Sequence, residues 1–268
     1  MSRITETFNR LKTEGRKGFI PFVTAGDPDI DTSLEILFSL ADAGADIIEL
    51  GVPFTDPMAD GPTIQLSSQR ALQNGVNLEA ILVMTGKFRA KLPVPLVLFS
   101  YLNPLLQFGI ENLAKKASEV GIDGVLITDA VGREASALAQ TFRQKGIDLI
   151  SLIAPTTSDA RLPEICAVST GFIYAVSRAG VTGAREEMST AAEKLVNRAR
   201  KVTDLPIAVG FGISTRQQLE EVWRFADAAV VGSAIVREIE RSIAEGTSPE
   251  RVKEFARLLL PPFAKHGS

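Results

Sequence analysis

Eight short apolar runs, each followed by a longer amphipathic stretch, recur along the whole chain, and this alternation restricts the fold more than any other feature. The runs are residues 19–24, 46–51, 94–100, 123–128, 148–153, 171–176, 206–210 and 228–231. Each is rich in Val, Ile, Leu or Phe without strict polar alternation, as expected for parallel strands covered on both faces. The intervening stretches read as helices. Ile110, Leu113, Ala114, Ala117 and Val120 keep helical spacing before a stop at Gly121. Ser214-Thr215-Arg216-Gln217 has the form of a capping box, and Ser248-Pro249-Glu250 offers an N-cap with proline at the first helical position. Eight strand–helix units predict a single (β/α)8 TIM barrel over residues 1–268 rather than an open sheet, since no GxGxxG follows the first strand. Extra helical material is expected before strand one (4–13), at the C-terminus (251–260) and after strand two. There a long loop and two helices, split at Asn74-Gly75 with Asn77 as a new N-cap, fill the space between Gly51 and Val94.

Composition narrows the function. A formal charge of −3 with scattered basic residues excludes an extended nucleic-acid surface. No apolar run approaches the roughly 18 residues that cross a bilayer, and no signal peptide is visible, so a cytoplasmic protein is expected. The one cysteine, Cys166, rules out an internal disulfide and reads as a buried helical thiol. The one histidine, His266, lies beyond Pro261-Pro262 near the chain end, which argues against histidine catalysis and His-based metal sites. Carboxylates are left as the acid–base groups. Trp223 reads as a helix-to-barrel packing residue.

In such a barrel, chemistry belongs at the C-terminal ends of the strands. Gly210-Phe211-Gly212 ends strand seven, and Gly232-Ser233 ends strand eight and opens a helix. Glycines permit close backbone approach, and a helix N-terminus offers unpaired N–H groups to an anion, so a phosphate site is expected there. The segment Arg178-Ala179-Gly180-Val181-Thr182-Gly183 after strand six could close over it. Glu49 lies in an otherwise apolar strand. If it points inward with Ile47 it reaches the barrel mouth, where desolvation raises a carboxyl towards acid–base use; a buried salt bridge is the plainer alternative. Asp60 sits in the following proline-rich loop, with Asp56 as its rival. Asp27 and Asp129 also lie at strand ends, where helix capping would account for them.

Three segments carry a resemblance. Residues 22–28 (Phe-Val-Thr-Ala-Gly-Asp-Pro), 49–65 (from Glu49-Leu50-Gly51-Val52-Pro53-Phe54 through Asp60-Gly61-Pro62 to Gln65) and 174–183 (Tyr174-Ala175-Val176 through Thr182-Gly183) resemble the α chain of tryptophan synthase. Gly210-Phe211-Gly212-Ile213 and Gly232-Ser233-Ala234-Ile235-Val236 fit the same pattern. The resemblance implies retro-aldol cleavage of indole-3-glycerol phosphate to indole and glyceraldehyde 3-phosphate in L-tryptophan biosynthesis, with Glu49 and Asp60 as catalytic acids. It also implies Tyr174 near the reacting centre and phosphate contacts at Gly183, Gly212, Gly232 and Ser233. The indole would lie among Phe22, Phe99, Leu126 and Phe211, with Thr182 contacting Asp60. It implies a β-chain partner in an α2β2 heterotetramer; pyridoxal phosphate would be carried there, with no cofactor or metal in this chain. One departure is that Ala130-Val131-Gly132-Arg133-Glu134 follows Thr128-Asp129, where the family has proline and acidic residues. Two other readings are a relative that releases free indole by itself and a silent phosphate-binding barrel; keeping both Glu49 and Asp60 speaks against the latter.

Overall fold

The structure is a computed structural model of the 268-residue chain and describes residues 1–176, 185–210, 212–246 and 248–261. Eight parallel strands close into a barrel in sequence order: β1 (Gly18–Thr24), β2 (Ile48–Gly51), β3 (Leu96–Ser100), β4 (Gly124–Ile127), β5 (Asp148–Ile153), β6 (Ile173–Val176), β7 (Ile207–Gly210) and β8 (Ala228–Val231). Twelve helices accompany them among the described residues. After α1 (Arg3–Thr13) come α2 (Ile30–Ala43), α3 (Pro62–Gln73), α4 (Leu78–Arg89), α5 (Leu102–Phe108) and α6 (Ile110–Val120). The second half holds α7 (Gly132–Arg143), α8 (Arg161–Val168), α9 (Arg185–Ala199), α10 (Arg216–Trp223), α11 (Ser233–Ile243) and α12 (Ser248–Leu259).

The expected extra helices are present as α1, the α3–α4 pair and α12, and Asn77 does cap α4, accepting from the Ala80 amide. Helix α5 was not foreseen. Its first amide, on Leu102, is capped from the next unit by Asp129 Oδ1 at 2.7 Å, so Asp129 caps a helix, though not the one following its own strand. Asp27 caps nothing; Asp29 is the N-cap of α2. The capping box of α10 lies one residue later than the sequence suggests, on Thr215 and Gln218, and Ser248 already belongs to α12.

Several strands begin later than their apolar runs, for a repeated reason. Asp46, Asp123 and Asp227 turn their carboxylates onto an amide in the first two residues of a neighbouring strand: Phe19 N at 3.0 Å, Leu96 N at 2.9 Å and Ile207 N at 2.9 Å. Arg89 and Arg3 pair with Asp123, and Arg200 with Asp227. The N-terminal end of the barrel is thus closed by ion-paired caps, leaving the other end for chemistry.

Two apolar layers share the strands. Val23, Ile48, Leu50, Leu98, Val125 and Ile127 face the helices, while Ile20, Ile47, Val97, Leu126, Ile150, Phe172, Ala208 and Val230 fill the barrel. Successive strand residues point to opposite faces, so each strand supplies both layers. Ile4, Phe8 and Leu11, at helical spacing on α1, plug the lower barrel, where Phe8 meets Phe172 with ring centroids 5.7 Å apart. Trp223 packs against the outer core and its Nε1–H donates to Gly18 O at 2.9 Å. Cys166 lies buried in α8. No described helix is long and apolar enough to cross a membrane.

Candidate active site

Strand alternation decides where Glu49 points. Ile48 and Leu50 belong to the outer layer and Ile47 to the inner one, so Glu49, two residues on, faces the barrel interior. It pairs in register with Phe22 on β1 and Val97 on β3. It is fully buried, and neither carboxylate oxygen has a hydrogen-bond partner. The alternative of a buried salt bridge is therefore not what the structure contains. Burial alone pushes its carboxyl well above the ordinary value of 4.5, because nothing nearby repays the desolvation of the anion.

Asp60 reaches the same region from the loop between β2 and α3. The loop is held by its own turns, with Met58 N to Asp56 O at 2.9 Å and Asp60 N to Pro57 O at 3.1 Å. Gln65 Nε2, from the first turn of α3, donates to Asp60 O at 2.9 Å. The Tyr101 hydroxyl, just past β3, accepts the Ala59 amide at 2.9 Å. Burial raises Asp60 from 3.8 to about 6, while hydrogen bonding from Tyr101 pulls the other way. Its rival Asp56 is exposed and accepts from its neighbour Thr55. Sequence reading puts Tyr101 at the end of a barrel strand but gives it no role. Burial first, and Asp60 second, push its phenol up to about 12, so it stays a donor.

Tyr174, on β6, ties the two acids together. Its phenol is raised well above 10.0 by burial first, then by the charges of Glu49 and of Asp60, and its ring packs against the inner barrel layer. Phe22 meets Phe99 edge-on at 5.4 Å, and Phe99 meets Tyr174 at 6.4 Å. These rings form an apolar wall continued by Leu126, the register partner of Phe99. Two glycines make room for it. A Cβ at Gly210 would lie 2.0 Å from the Tyr174 hydroxyl oxygen, and one at Gly51 would lie 2.5 Å from the Phe22 ring.

The glycine-rich strand ends expected to hold an anion adjoin this wall at Gly232. Helix α11 begins at Ser233 after the N-cap Gly232, and no side chain caps it. Its first-turn amides thus have neither an intrahelical acceptor nor a capping side chain, and the helix dipole favours negative charge there. A Cβ on Gly232 would stand 3.7 Å from Phe22, so the cradle adjoins the ring pocket. Gly212 is exposed at the end of β7 with φ of +37°, a backbone that favours glycine. Gly183, Thr182 and Phe211, together with the 178–183 segment and His266, lie outside the described residues. No group of three or more His, Cys, Asp or Glu that could hold a metal occurs among the described residues.

A buried ion pair braces the rim. Arg70 of α3 forks onto Asp27, after β1, at 2.8 and 2.9 Å, and reaches Glu240 of α11 at 3.1 Å. Thr24 and Ser67 share a buried hydrogen bond of 2.6 Å. The helix after the Asp60 loop is thereby fixed to the strand-one loop and to the helix of the anion cradle.

A closed parallel barrel with one buried, unpaired carboxyl, a second carboxyl raised to about 6 and an uncapped helix start at its mouth has the parts of an acid–base TIM-barrel enzyme. A family model for the tryptophan synthase alpha chain matches residues 8–259. Among similar proteins, the tryptophan synthase alpha chain of Acidiphilium cryptum is 49% identical over 95% of this chain and 93% of its own length. That of Solibacter usitatus is 45% identical over 98% of each. The crystal structure of tryptophan synthase subunit alpha from Legionella pneumophila, 33% identical, superimposes with a TM-score of 0.89 over 97% of both chains. A tryptophan synthase structure from M. tuberculosis, 30% identical, gives 0.87 over 97% of this chain and 98% of that one. The chain belongs to the tryptophan synthase alpha chain family and is a carbon–carbon lyase of tryptophan biosynthesis.

Proposed function

We propose that Glu49, Asp60 and Tyr174 carry out in this mouth the reaction of the alpha chain, the aldol-type cleavage of indole-3-glycerol phosphate to indole and glyceraldehyde 3-phosphate. The observation that carries this reading is Glu49: a fully buried carboxyl without a partner, on the inner side of the barrel against which Tyr174 also packs. Its carboxyl raised by burial, Glu49 gives its proton to C3 of the indole. Positive character then develops on the ring N–H, and the Asp60 carboxylate accepts that hydrogen bond. The Glu49 carboxylate next takes the proton of the adjacent side-chain hydroxyl. The bond between C3 and the side chain breaks, its electron pair restores the aromatic ring, and the carbonyl of glyceraldehyde 3-phosphate forms. Tyr174 hydrogen-bonds beside the reacting carbons.

The phosphate rests against the amides around Gly212, Gly232 and Ser233, with Gly183 added from the lid. The indole lies among Phe22, Phe99, Leu126 and Phe211, and Thr182 meets Asp60. Two anchors at opposite ends of the substrate turn binding into orientation of the scissile bond. The chain works as one barrel domain in the cytoplasm, bound to a β chain in an α2β2 assembly. Pyridoxal phosphate belongs to that partner, and this chain needs no cofactor. An indole-release assay with indole-3-glycerol phosphate, run with and without a β chain, tests the reading. Release that rises on adding the β chain is expected, and a folded chain that releases none under either condition overturns it.

A further inference from the structure

Thr128 stands one residue beyond β4, and its amide extends the ladder by donating to Ser100 O at 2.9 Å. The inward set of this strand is unambiguous. A Cβ on Gly124 would strike Ile150 and Ile4 inside the barrel, and Leu126 belongs to the inner cluster, whereas Val125 and Ile127 face the helices. Alternation carries Thr128 inward one step above Leu126, towards the mouth. Its Oγ1 is buried and has no hydrogen-bond partner. In an eight-strand ring β4 lies across the mouth from β8, the strand that leads to Gly232 and Ser233. A substrate held by its phosphate at β8 therefore extends its ring towards β4. With the ring N–H turned to Asp60 on the β2 side, the benzo edge is what approaches Thr128.

We propose that Thr128 is a specificity-determining residue whose hydroxyl favours a hydrogen-bonding substituent on the benzo edge of the indole. This rests on the substrate assignment made above. A bare or methylated edge leaves that hydroxyl unpaired, as it already is in the free chain, and gains nothing from it. A hydroxyl substituent on the ring supplies the missing partner. The same atom thus selects one class of ring, and it does so without touching the reacting carbons.

The test is the reverse condensation of indoles with glyceraldehyde 3-phosphate, comparing kcat/KM for indole, benzo-ring hydroxyindoles and benzo-ring methylindoles. Thr128→Val is expected to leave kcat/KM for indole and the methylindoles nearly unchanged. It should lower the hydroxyindoles, so that the hydroxy-to-methyl ratio falls by about tenfold, the scale of one neutral hydrogen bond exchanged for an unpaired group. Thr128→Ser, which keeps the hydroxyl, should retain the original order of preference, and it stands against Thr128→Ala if the valine variant does not fold. A common change across all three indole classes, or a ratio that ignores the hydroxyl, overturns the proposal. If the unaltered chain condenses no indole at all, the substrate assignment fails instead.

Discussion

Replacing Glu49 with glutamine should make the protein more stable and nearly inactive at once. The structure surrounds the carboxyl with apolar groups and supplies no donor or cation, so burial holds its proton on well above pH 4.5. In the unfolded chain the same carboxyl ionises near 4.5. A group whose folded pKa is raised takes stability away as pH climbs from the unfolded value to the folded one, and nothing is lost below both. Each pH unit inside that interval costs the folded state about 1.36 kcal/mol. Glutamine has the same size and no ionisation. Its buried amide also lacks partners, and that pH-independent cost shifts the whole difference without changing its slope. The expected result is a stability difference between Glu49→Gln and the unaltered chain that grows as pH rises above 4.5, with a limiting slope of about 1.36 kcal/mol per pH unit. Urea unfolding followed by circular dichroism across that range measures it. Indole release by the same protein should fall by about 10²-fold or more. A difference independent of pH would mean that Glu49 ionises normally when folded, and near-normal turnover would remove it from the chemistry; either result breaks the reasoning.

Asp60, with a folded pKa of about 6, should give kcat/KM an ascending limb centred near that pH as its anion forms. Asp60→Asn should cut turnover severely and leave binding of inorganic phosphate in place, which a pH–rate profile and a binding titration would show. Gly210→Ala drives a methyl into the Tyr174 phenol, costing about 1–3 kcal/mol of stability and lowering kcat; adding Tyr174→Leu should restore stability without activity. Ser233→Asp places a negative charge at the start of α11, adding about 0.3–1 kcal/mol of helix stability while weakening phosphate binding at least tenfold, so that thermal melting and KM move in opposite senses. Arg70→Ala strands the buried Asp27 carboxylate and should cost about 3–5 kcal/mol in denaturant unfolding.

Much of this site is already visible in the order of residues. Eight apolar runs bounded by polar breaks specify a parallel barrel, because covering both faces of a strand imposes the same pattern wherever the strand lies. That in turn assigns Glu49, Gly210 and Gly232 to strand ends before any contact is known. The spacing of Glu49 from Ile47 already orients it inward. Helix α5 escaped notice because seven residues hold too few turns to display a period, and its cap, Asp129, comes from the following strand. The trimmed strand starts depended on Asp46, Asp123 and Asp227 bonding to amides far along the chain. Choosing Asp60 over Asp56 required burial, which two acids four residues apart in one loop do not reveal.

Local periodicity and turn chemistry act between near neighbours in the chain, so the sequence by itself determined the alternating elements, their direction and the residues that crown each strand. Only the closed barrel decided what those crowning residues feel. Phe22, Phe99 and Tyr174, from β1, β3 and β6, enclose a carboxyl from β2 and leave it without a countercharge. Desolvation is set by everything that surrounds an atom, and those surroundings are assembled from segments more than a hundred residues apart.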